Sequence, residues 1–482
     1  MRSISRREFL HDSAILGALA GAGLGSESSA AEKAVAKKGQ VNDQLRVAVI
    51  GVHGRGKDHI NGLAGKHNCI ITTICDADSA VIGDAMKRTE AQQKKLPRFE
   101  QDIRKVVEDK DIDIITIATP NHWHALAAIW AMQNGKDVYV EKPVSHNVSE
   151  GRRIVEVARK TNRICQAGTQ SRSSGGLKEA MTFLHEGKLG KIKVARGLCY
   201  KTRGSIGKVS EPQPIPKSCD YDLWCGPAPK APLMRKHLHY DWHWVWDTGC
   251  GDLGNQGIHE MDKARWGLNK NELAKSVVSV GGRFGYVDDG QTANTQICFF
   301  DYGDCELIFE VRGLLTKDLL GARVGNIWYG TDGYMVCSSY SSAIAYSNDG
   351  EVIKKFGGGE NHYANFIKAV RSRKVEDLNA DILEGHLSSA LCHLGNISYR
   401  LGDEQPFGQT PQAFAKDKDA GETFERMQQH LKDNKVSLDA VQCRIGRKLA
   451  VEPAKEIFLG DKDANDMLTR EYRKGFEVPA KV

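Results

Sequence analysis

Three glycines follow the first apolar run of the chain and could bind phosphate groups. Gly51, Gly54 and Gly56 come directly after a predicted strand, and a helical pattern begins at the last of them. Such glycines give a tight turn and leave backbone N–H groups at a helix N-terminus open to a phosphate. We therefore predict a dinucleotide pyrophosphate site here, with His53 and Arg55 beside it. His53 stands where the usual Gly-x-Gly-x-x-Gly pattern has its second glycine, and an ordinary glycine-rich loop is the alternative.

A carboxylate ends the second apolar run. Asp76 lies 25 residues beyond Gly51, where a carboxylate can accept hydrogen bonds from the adenosine ribose and repel a 2′-phosphate. This position favours NAD over NADP as the cofactor, although Arg55 could still reach a phosphate. The structural alternative is that the segment Asp76–Ser79 caps a helix.

Two further motifs end the third and fourth predicted strands. Residues 118–124 read Ala-Thr-Pro-Asn-His-Trp-His, and residues 141–143 read Glu-Lys-Pro. In this order and spacing they resemble the family that includes glucose-fructose oxidoreductase, inositol dehydrogenase and the rhizopine-catabolism proteins (the Gfo/Idh/MocA family). The resemblance covers roughly residues 45–400 and implies an NAD(P)-dependent enzyme that acts on a sugar or polyol. It also implies a set of cofactor-contacting residues, namely Thr119, Asn121, His124, Glu141 and Lys142.

The resemblance continues in a glycine-rich stretch, residues 249–262. The family has an Asp and a His four residues apart there. His259 falls on the histidine position, and Asn255 stands in place of the aspartate. Positions four apart share a helix face, so both side chains are expected in one cleft. Asn255 cannot remove a proton, so the resemblance leaves it an orienting role and assigns proton transfer to His259.

The residue types at these motifs suit hydride transfer between a carbinol carbon and nicotinamide. That reaction requires a proton to leave or join the carbinol oxygen, and neutral histidine can move it near pH 7. A cationic Lys142 would stabilise the developing alkoxide. Taken alone, His259 is more readily a structural histidine and Lys142 a solvated lysine. Their occurrence together in the two motifs favours the catalytic interpretation.

Three residues are weaker candidates for substrate contact. Arg172 follows the fifth predicted strand, where the chain enters the second domain. Trp242 and Trp244 belong to an aromatic stretch before the histidine motif, and flat rings suit the C–H faces of sugars. Domain packing explains such a cluster equally well. His122 and Trp123 either touch the ligand or seal the domain interface.

The alternation of strands and helices predicts two domains, as the chain length also does. Over residues 45–168 apolar runs alternate with helical segments, which is typical of a parallel Rossmann sheet covered on both faces. Over residues 169–402 strand-like segments follow one another across short turns, which predicts an α+β domain with an open, mainly antiparallel sheet. Residues 403–482 are highly charged and are predicted to be a C-terminal extension.

Composition narrows the range of partners. The 67 basic and 61 acidic residues give a net charge of +6 without a long basic block, so nucleic acid is not an expected partner. The 12 cysteines form no close Cys-x-x-Cys pair, so no metal site is expected and most of them are predicted to be core residues. Members of the resembled family commonly pair through the open sheet face, which implies a homo-oligomer.

The N-terminal residues have the pattern of an export signal. Residues 5–10 read Ser-Arg-Arg-Glu-Phe-Leu, a twin-arginine signature, and a short apolar stretch rich in glycine follows. We predict a signal peptide over residues 1–31, a linker over residues 32–44, and export by the twin-arginine machinery to the periplasm. The apolar stretch is too short for a membrane span. Two arginines that merely flank an apolar helix are the alternative.

Three functions fit the sequence. The leading one is an NAD(P)-dependent oxidoreductase of a sugar, polyol or glycoside that holds its cofactor tightly, because free nicotinamide cofactor is scarce outside the cytoplasm. The second is an NAD-dependent glycosidase that transiently oxidises the sugar ring. The third is a non-catalytic carbohydrate-binding protein, which the Asn255 substitution leaves open, since fold alone does not fix chemistry.

Overall fold

The computed structural model describes residues 44–408, 411, 414 and 417–482. The predicted signal peptide lies outside these residues, as does the predicted linker except Gln44. Within the described ranges, no helix combines the length and the apolar character that crossing a membrane requires.

The first half of the chain folds as a six-stranded parallel sheet. Its strand order is β3-β2-β1-β4-β5-β6, which is the order of a dinucleotide-binding Rossmann domain. The strands β1 to β6 are Leu45–Ile50, Cys69–Cys75, Arg98–Glu100, Ile114–Ile117, Asp137–Val140 and Cys165–Ala167. The helices α1 to α5 are Gly56–Leu63, Ile82–Gln93, Ile103–Glu108, Asn121–Gln133 and Val148–Thr161.

The sequence pattern located five of these six strands. Strands β1, β2, β4 and β5 are wholly or mostly buried, so they read as short apolar runs. Strand β3 has only three residues, none of them buried, and it therefore left no apolar run to detect.

The second half forms a twelve-stranded mixed sheet. Ten strands follow the order β14-β13-β12-β11-β7-β10-β9-β8-β16-β15, and β17 with β18 lies beside β8. Neighbours are antiparallel except for the parallel pair β7 and β10, which confirms the predicted fold class. Strands β7 to β12 are Val194–Cys199, Ser276–Gly282, Thr295–Asp301, Glu306–Arg312, Val324–Tyr329 and Gly333–Cys337. Strands β13 to β18 are Ala343–Ser347, Val352–Phe356, Asp403–Pro406, Gln442–Ile445, Leu449–Glu452 and Ile457–Phe458.

Helices cover both faces of this second sheet. One face packs on α6, α9 and α11 through a large apolar cluster, and α12 packs on the opposite face of β8, β9 and β10. Helices α6 to α13 are Gly175–His185, Tyr221–Cys225, Gly251–Asn255, Gly257–Gly267, His362–Ser372, Ile382–Arg400, Lys418–Asp433 and Lys462–Asp466. The predicted homo-oligomer stays a prediction, and α12 already occupies part of the face proposed for it.

The charged segment predicted as a C-terminal extension, residues 403–482, packs on the body of the protein. Its strands β15 and β16 continue the second sheet at β8, and Phe424 of α12 is buried against the sheet. Phe476 packs on Trp123 and Trp130 of the Rossmann domain. The segment reads as highly charged although it contributes to the core, because α12 is amphipathic. Its charged side chains face solvent and its apolar side chains pack on the sheet.

Cysteines behave as small core residues. All of the 12 lie in the described part of the chain, eleven are buried, and none is paired there. Burial raises the pKa of Cys298 to about 12, so this thiol is not ionised and is a poor nucleophile at neutral pH.

Candidate functional site

The glycine turn after β1 is shaped by close backbone contacts. Gly51 has a φ of 83°, and a Cβ there would lie 2.6 Å from backbone atoms of Ala118. A Cβ on Gly56 would lie 2.0 Å from the carbonyl oxygen of Gly51. A Cβ on Gly54 would meet no described atom within 4 Å. Two glycines are therefore required by packing, while Gly54 leaves the turn open.

Asp76 lies beside this turn. Its Oδ2 accepts a hydrogen bond from the Val52 N–H at 2.9 Å, and its Oδ1 accepts one from the Asp78 N–H at 3.1 Å. Burial raises the pKa of Asp76, and these backbone donors oppose the shift. Helix α2 begins only at Ile82, so Asp76 does not cap it and the helix-cap alternative fails.

A cavity of about 350 Å³ runs along the carboxyl edge of the first sheet, within the size range of ligand sites. One wall is the Rossmann edge, from Gly51 and Asp76 to Lys142. The other wall belongs to residues 201–250, which we call the strap. The strap residues that line the cavity are Leu223, Trp224, His239, Tyr240, Trp242 and His243.

Two oxygen atoms at the cavity have no hydrogen-bond partner among the described residues. They are Thr119 Oγ1 and Asn121 Oδ1, both buried, and both residues line the cavity. A buried polar oxygen without a partner is costly, so a ligand with a polar group such as a carboxamide fits here. Together with the open glycine turn, these residues fit a nicotinamide dinucleotide.

Glu141 organises the floor of the cavity. Its Oε1 accepts hydrogen bonds from Arg55 Nε at 3.1 Å and Gln170 Nε2 at 3.3 Å, and lies 3.2 Å from His59 Nε2. Burial by itself would raise the pKa of Glu141, but the hydrogen bond from His59 and the charge of Arg55 hold it well below its usual range. The carboxylate therefore stays ionised and fixes Arg55 beside the glycine turn.

Lys142 and Asn255 meet at one end of the cavity. Lys142 Nζ donates to the Asn255 backbone carbonyl at 2.9 Å and lies 3.5 Å from its Oδ1. Burial lowers the pKa of Lys142, and the charge of Glu141 partly offsets this. The structure thus brings together two of the three predicted catalytic residues, each from a different domain.

His259 lies behind this pair and does not line the cavity. It is 7% exposed, its ring stands edge-on to Tyr340 at 5.0 Å between centroids, and its Nδ1 is buried without a described partner. Burial, and then the charge of Lys142, holds the pKa of His259 well below its ordinary value. The imidazole is therefore neutral and able to accept a proton.

The three residues after the Thr-Pro-Asn turn make side-chain contacts with backbone carbonyl groups, and Trp123 and His124 also line the cavity. The His124 ring nitrogens lie 2.6 Å and 2.8 Å from the carbonyl oxygens of Pro143 and Thr119, so His124 positions both motifs, although it also lines the cavity. His122 lies 3.0 Å from the Trp224 carbonyl oxygen, and the Trp123 indole N–H donates to Leu223 at 2.9 Å. His122 and Trp123 therefore hold the strap.

The strap is attached at its adenosine end as well. His239 Nε2 lies 2.8 Å from Asp78 Oδ2, and the His239 ring stacks on His53 at 4.5 Å. The Ser79 N–H donates a hydrogen bond to the Ser218 carbonyl at 3.0 Å. From the C-terminal end of the chain, Arg473 donates to the Gly226 carbonyl at 3.2 Å. These contacts close the strap over the cavity.

The three weaker candidates for substrate contact lie in different environments. Arg172 is buried, with its Nε 2.8 Å from Asp262 Oδ2 and its Nη2 2.9 Å from Glu384, so it is a structural ion pair outside the cavity. Trp242 lines the cavity. Trp244 is buried beneath the Arg203 guanidinium in a neighbouring cleft. The roles of both tryptophans stay predictions.

The sequence did not indicate several residues of the cavity wall. Gln101 and Ile103 follow the undetected strand β3, and Leu223 and Trp224 belong to the short helix α7 in the strap. His239 pairs with a residue 161 positions away. The aromatic-rich stretch over residues 240–246 was the one sequence signal for this wall. The sequence does not show which residue each aromatic ring contacts.

The protein has a Rossmann domain, and its glycine turn, Asp76 and the unpaired oxygens of Thr119 and Asn121 face one cavity. This combination defines a nicotinamide-dinucleotide-binding protein. Residues 45–169 match the oxidoreductase family's NAD-binding Rossmann fold, and residues 186–433 match its C-terminal alpha/beta domain. The second match alone covers just over half of the 482 residues. The chain therefore belongs to the Gfo/Idh/MocA oxidoreductase family.

Curated relatives fall into two groups. A glycosyl hydrolase family 109 protein of Saccharopolyspora erythraea is 30% identical over 206 residues, which is 40% of this chain and 45% of the relative. The alpha-N-acetylgalactosaminidase of Shewanella oneidensis is 31% identical over 34% of this chain and 39% of the relative. The scyllo-inositol 2-dehydrogenase (NAD(+)) of Bacillus subtilis is 31% identical over 31% of this chain and 42% of the relative. The chain spans less than half of the length of each.

Solved structures share the fold. The WlbA dehydrogenase of Bordetella pertussis, in complex with NADH and UDP-GlcNAcA, superposes with a TM-score of 0.56 at 18% identity over 74% of this chain and 97% of that chain. A levoglucosan dehydrogenase in complex with NADH and levoglucosan gives a TM-score of 0.55 at 18% identity over 73% and 97% of the two chains.

Proposed function

We propose that this protein is an NAD-dependent oxidoreductase that acts on a sugar, polyol or glycoside and holds its cofactor tightly. The observation that carries the proposal is the cavity between the glycine turn and the strap, with Lys142 and Asn255 at one end. The dehydrogenases among the relatives and structural neighbours support the same chemistry. NAD, when bound, supplies a hydride acceptor at its nicotinamide ring.

The residues around Lys142 have separate roles in this proposal. Lys142 is a cation at the reacting oxygen and stabilises the alkoxide that develops there. Asn255 orients Lys142 through its backbone carbonyl. His259 is neutral and lies outside the cavity lining, so in this proposal it accepts the carbinol proton through one bridging water. Asn121 and Thr119 fit the polar edge of the nicotinamide.

The strap supports the proposal of a retained cofactor. The contacts of His239, His122 and Trp123 fix the strap against the Rossmann edge, so a dinucleotide beneath it would be covered by an anchored segment. Retention suits a protein exported in the folded state, and the twin-arginine pattern of residues 5–10 supports export to the periplasm. NADP is the less suitable nucleotide, since Asp76 would repel its 2′-phosphate.

Denaturing the protein purified from the periplasm tests two points together: whether the protein is exported and whether it retains NAD. Protein recovered from the periplasmic fraction, without added nucleotide, is expected to release about one NAD per chain, identified by mass and absorbance. Arg473→Ala, which removes a strap contact, is expected to release less because nucleotide is lost during purification. If neither NAD nor NADP is released, and none binds at micromolar concentration afterwards, the proposed function is wrong.

A glycosidase is the second candidate. The relatives named as glycosyl hydrolase family 109 proteins and alpha-N-acetylgalactosaminidase favour it, as does a strap that hinders cofactor exchange. Such an enzyme oxidises a ring carbon only transiently and releases unoxidised sugar. Net accumulation of reduced cofactor or of an oxidised sugar would exclude it, whereas release of free sugar without either product would support it.

The pH dependence of hydride transfer should follow Lys142. Because burial lowers the pKa of this lysine, the rate is expected to fall on the alkaline side at a lower pH than an ordinary lysine gives. Lys142→Arg should remove that fall, since a guanidinium does not titrate in this range. The lowered pKa of His259 keeps this ring neutral into acidic solution, so the acidic fall should lie well below pH 6.5. The rate of single-turnover reduction of bound NAD, measured as a function of pH, gives both the acidic and the alkaline decrease. If the alkaline decrease persists in Lys142→Arg, Lys142 is not its cause.

A further inference from the structure

A second cleft of about 530 Å³ adjoins the cofactor cavity. It lies on the strap side, and the two spaces share Tyr240 as a common wall. The side chains that line it are Arg203, Lys236, His237, Tyr240, Asp241 and Trp244. The two spaces therefore meet at this one tyrosine.

Tyr240 is held in a strained backbone conformation. Its φ is 66° and its ψ is −50°, and the Asp241 N–H donates to the His239 carbonyl across it at 2.9 Å, which makes a γ-turn of the rare positive-φ kind. A bulky side chain at positive φ is unfavourable, and such strain is concentrated at functional sites. The residue is 54% exposed, so burial does not account for a tyrosine at this position.

The surroundings fix the Tyr240 side chain. Its hydroxyl accepts a hydrogen bond from Arg203 Nη1 at 2.9 Å, and Arg203 is held in turn by both oxygens of Asp252 at 2.8 Å and 2.7 Å. The ring centroid lies 4.8 Å from that of His243, which lines the cofactor cavity. The Tyr240 ring therefore lies between the cofactor cavity and the second cleft.

The opposite wall of the cleft is also fixed. The loop over residues 203–209 is attached at the Ile206 N–H, which donates to Asp288 Oδ2 at 2.8 Å, and at the Val209 N–H, which donates to Asp289 Oδ2 at 2.8 Å. Asp288 is itself held by Arg283 at 2.6 Å. The cleft is therefore preformed, as binding sites for small ligands usually are.

The chemistry of the lining suits an uncharged ring with many hydroxyls. The charge of Arg203 is balanced by Asp252, and His237 lies 2.9 Å from Asp241, so the cleft has little net charge for an ionic ligand. An exposed aromatic face packs on the C–H face of a sugar. Lys236, His237 and Asp241 supply donors and an acceptor for hydroxyl groups.

We propose that this cleft binds a second sugar ring of the substrate, with the Tyr240 ring against its apolar face. The natural substrate is then a glycoside of at least two rings, of which the first reacts beside Lys142. This inference rests on the proposed function, because the first ring must occupy the cofactor cavity.

Binding of one-ring and two-ring sugars to the holoenzyme tests the proposal. The probes are disaccharides of glucose, galactose and N-acetylhexosamines and their constituent monosaccharides, measured by tryptophan fluorescence and by reduction of the bound NAD. At least one disaccharide is expected to bind about tenfold more tightly than either constituent. If monosaccharides bind or reduce the cofactor and no disaccharide binds more tightly, the second-ring proposal is wrong and the proposed function stands. If no sugar of either length binds, both are wrong.

The variant Tyr240→Gly separates a ligand role from a structural one. Glycine accepts the positive φ, so the melting temperature should be unchanged or higher, while the preference for the disaccharide over its constituent monosaccharides should be lost. Lys94→Gly is the matched control, since Lys94 has a φ of 59° at an exposed helix end far from both spaces. It should keep the disaccharide preference. A Tyr240→Gly protein that retains the preference would overturn the proposal.

Discussion

Replacing Lys142 by methionine is expected to lower the single-turnover rate of hydride transfer about a thousandfold. The ammonium group is the cation that the fold places at the Asn255 end of the cavity, with its Nζ 2.9 Å from the Asn255 carbonyl. Methionine keeps the length and the apolar stem but cannot stabilise an alkoxide. Bound NAD should remain, because the glycine turn and Asp76 are untouched. Rapid-mixing absorbance of the reduced nicotinamide measures the effect.

A buried lysine elsewhere provides the control for Lys142→Met. Lys136 is 5% exposed, and its ammonium donates to the Asp109 carbonyl, on the Rossmann domain but outside the cavity. Lys136→Met should lower stability and leave the rate of hydride transfer unchanged. Should Lys142→Met retain more than about a tenth of the wild-type rate, electrostatic stabilisation by this residue would be excluded.

The second substitution with a large expected effect changes the stability of the folded protein. Arg172→Met is expected to lower the free energy of unfolding by about 3–5 kcal/mol. Arg172 is 6% exposed and its Nε lies 3.0 Å and 2.8 Å from the two carboxylate oxygens of Asp262, which is 1% exposed. The substitution leaves that carboxylate buried with only the Ser388 hydroxyl at 2.8 Å and the Arg265 guanidinium at 3.8 Å, and a buried charge that loses its nearest ionic partner is costly. Urea unfolding of the holoenzyme measures the change.

An exposed ion pair gives the comparison for Arg172→Met. Lys178 Nζ lies 2.9 Å from Glu360, with 36% and 55% of the two side chains exposed, so Lys178→Met should cost less than about 1 kcal/mol. The double variant Arg172→Met with Asp262→Leu should recover part of the lost stability, because no buried carboxylate remains. A higher KM for the sugar with unchanged stability would restore Arg172 as a substrate residue.

Much of the first domain could be predicted from local sequence. Strands such as Leu45–Ile50 are buried, and buried strands of a parallel sheet read as continuous apolar runs. Gly56 packs on the Gly51 carbonyl within the same turn, and Gly51 itself has a positive φ, so the glycine spacing indicated the turn, whereas the contact of Gly51 with Ala118 is not local. Strand β3 was missed because none of its three residues is buried.

The second half was harder to predict because its signals are not local. Helix α12 is charged on one side and apolar on the other, and only docking on the sheet shows that Phe424 belongs to a core. Likewise Arg172 lies at a domain junction in sequence, where a substrate role was reasonable. Its partner Asp262 is 90 residues away, and the sequence contains nothing that specifies the pairing.

The sequence by itself determined the Rossmann domain and predicted a dinucleotide site at Gly51 and Asp76. Both depend on short-range spacing, in which residue type and local backbone geometry carry the signal. The candidates Lys142, Asn255 and His259 came from the family resemblance. Only the tertiary structure decided that the strap covers the cofactor cavity and that Tyr240 separates it from a second cleft. Those features depend on contacts between residues far apart in the chain, such as His239 with Asp78, and such contacts follow from packing rather than from any local pattern.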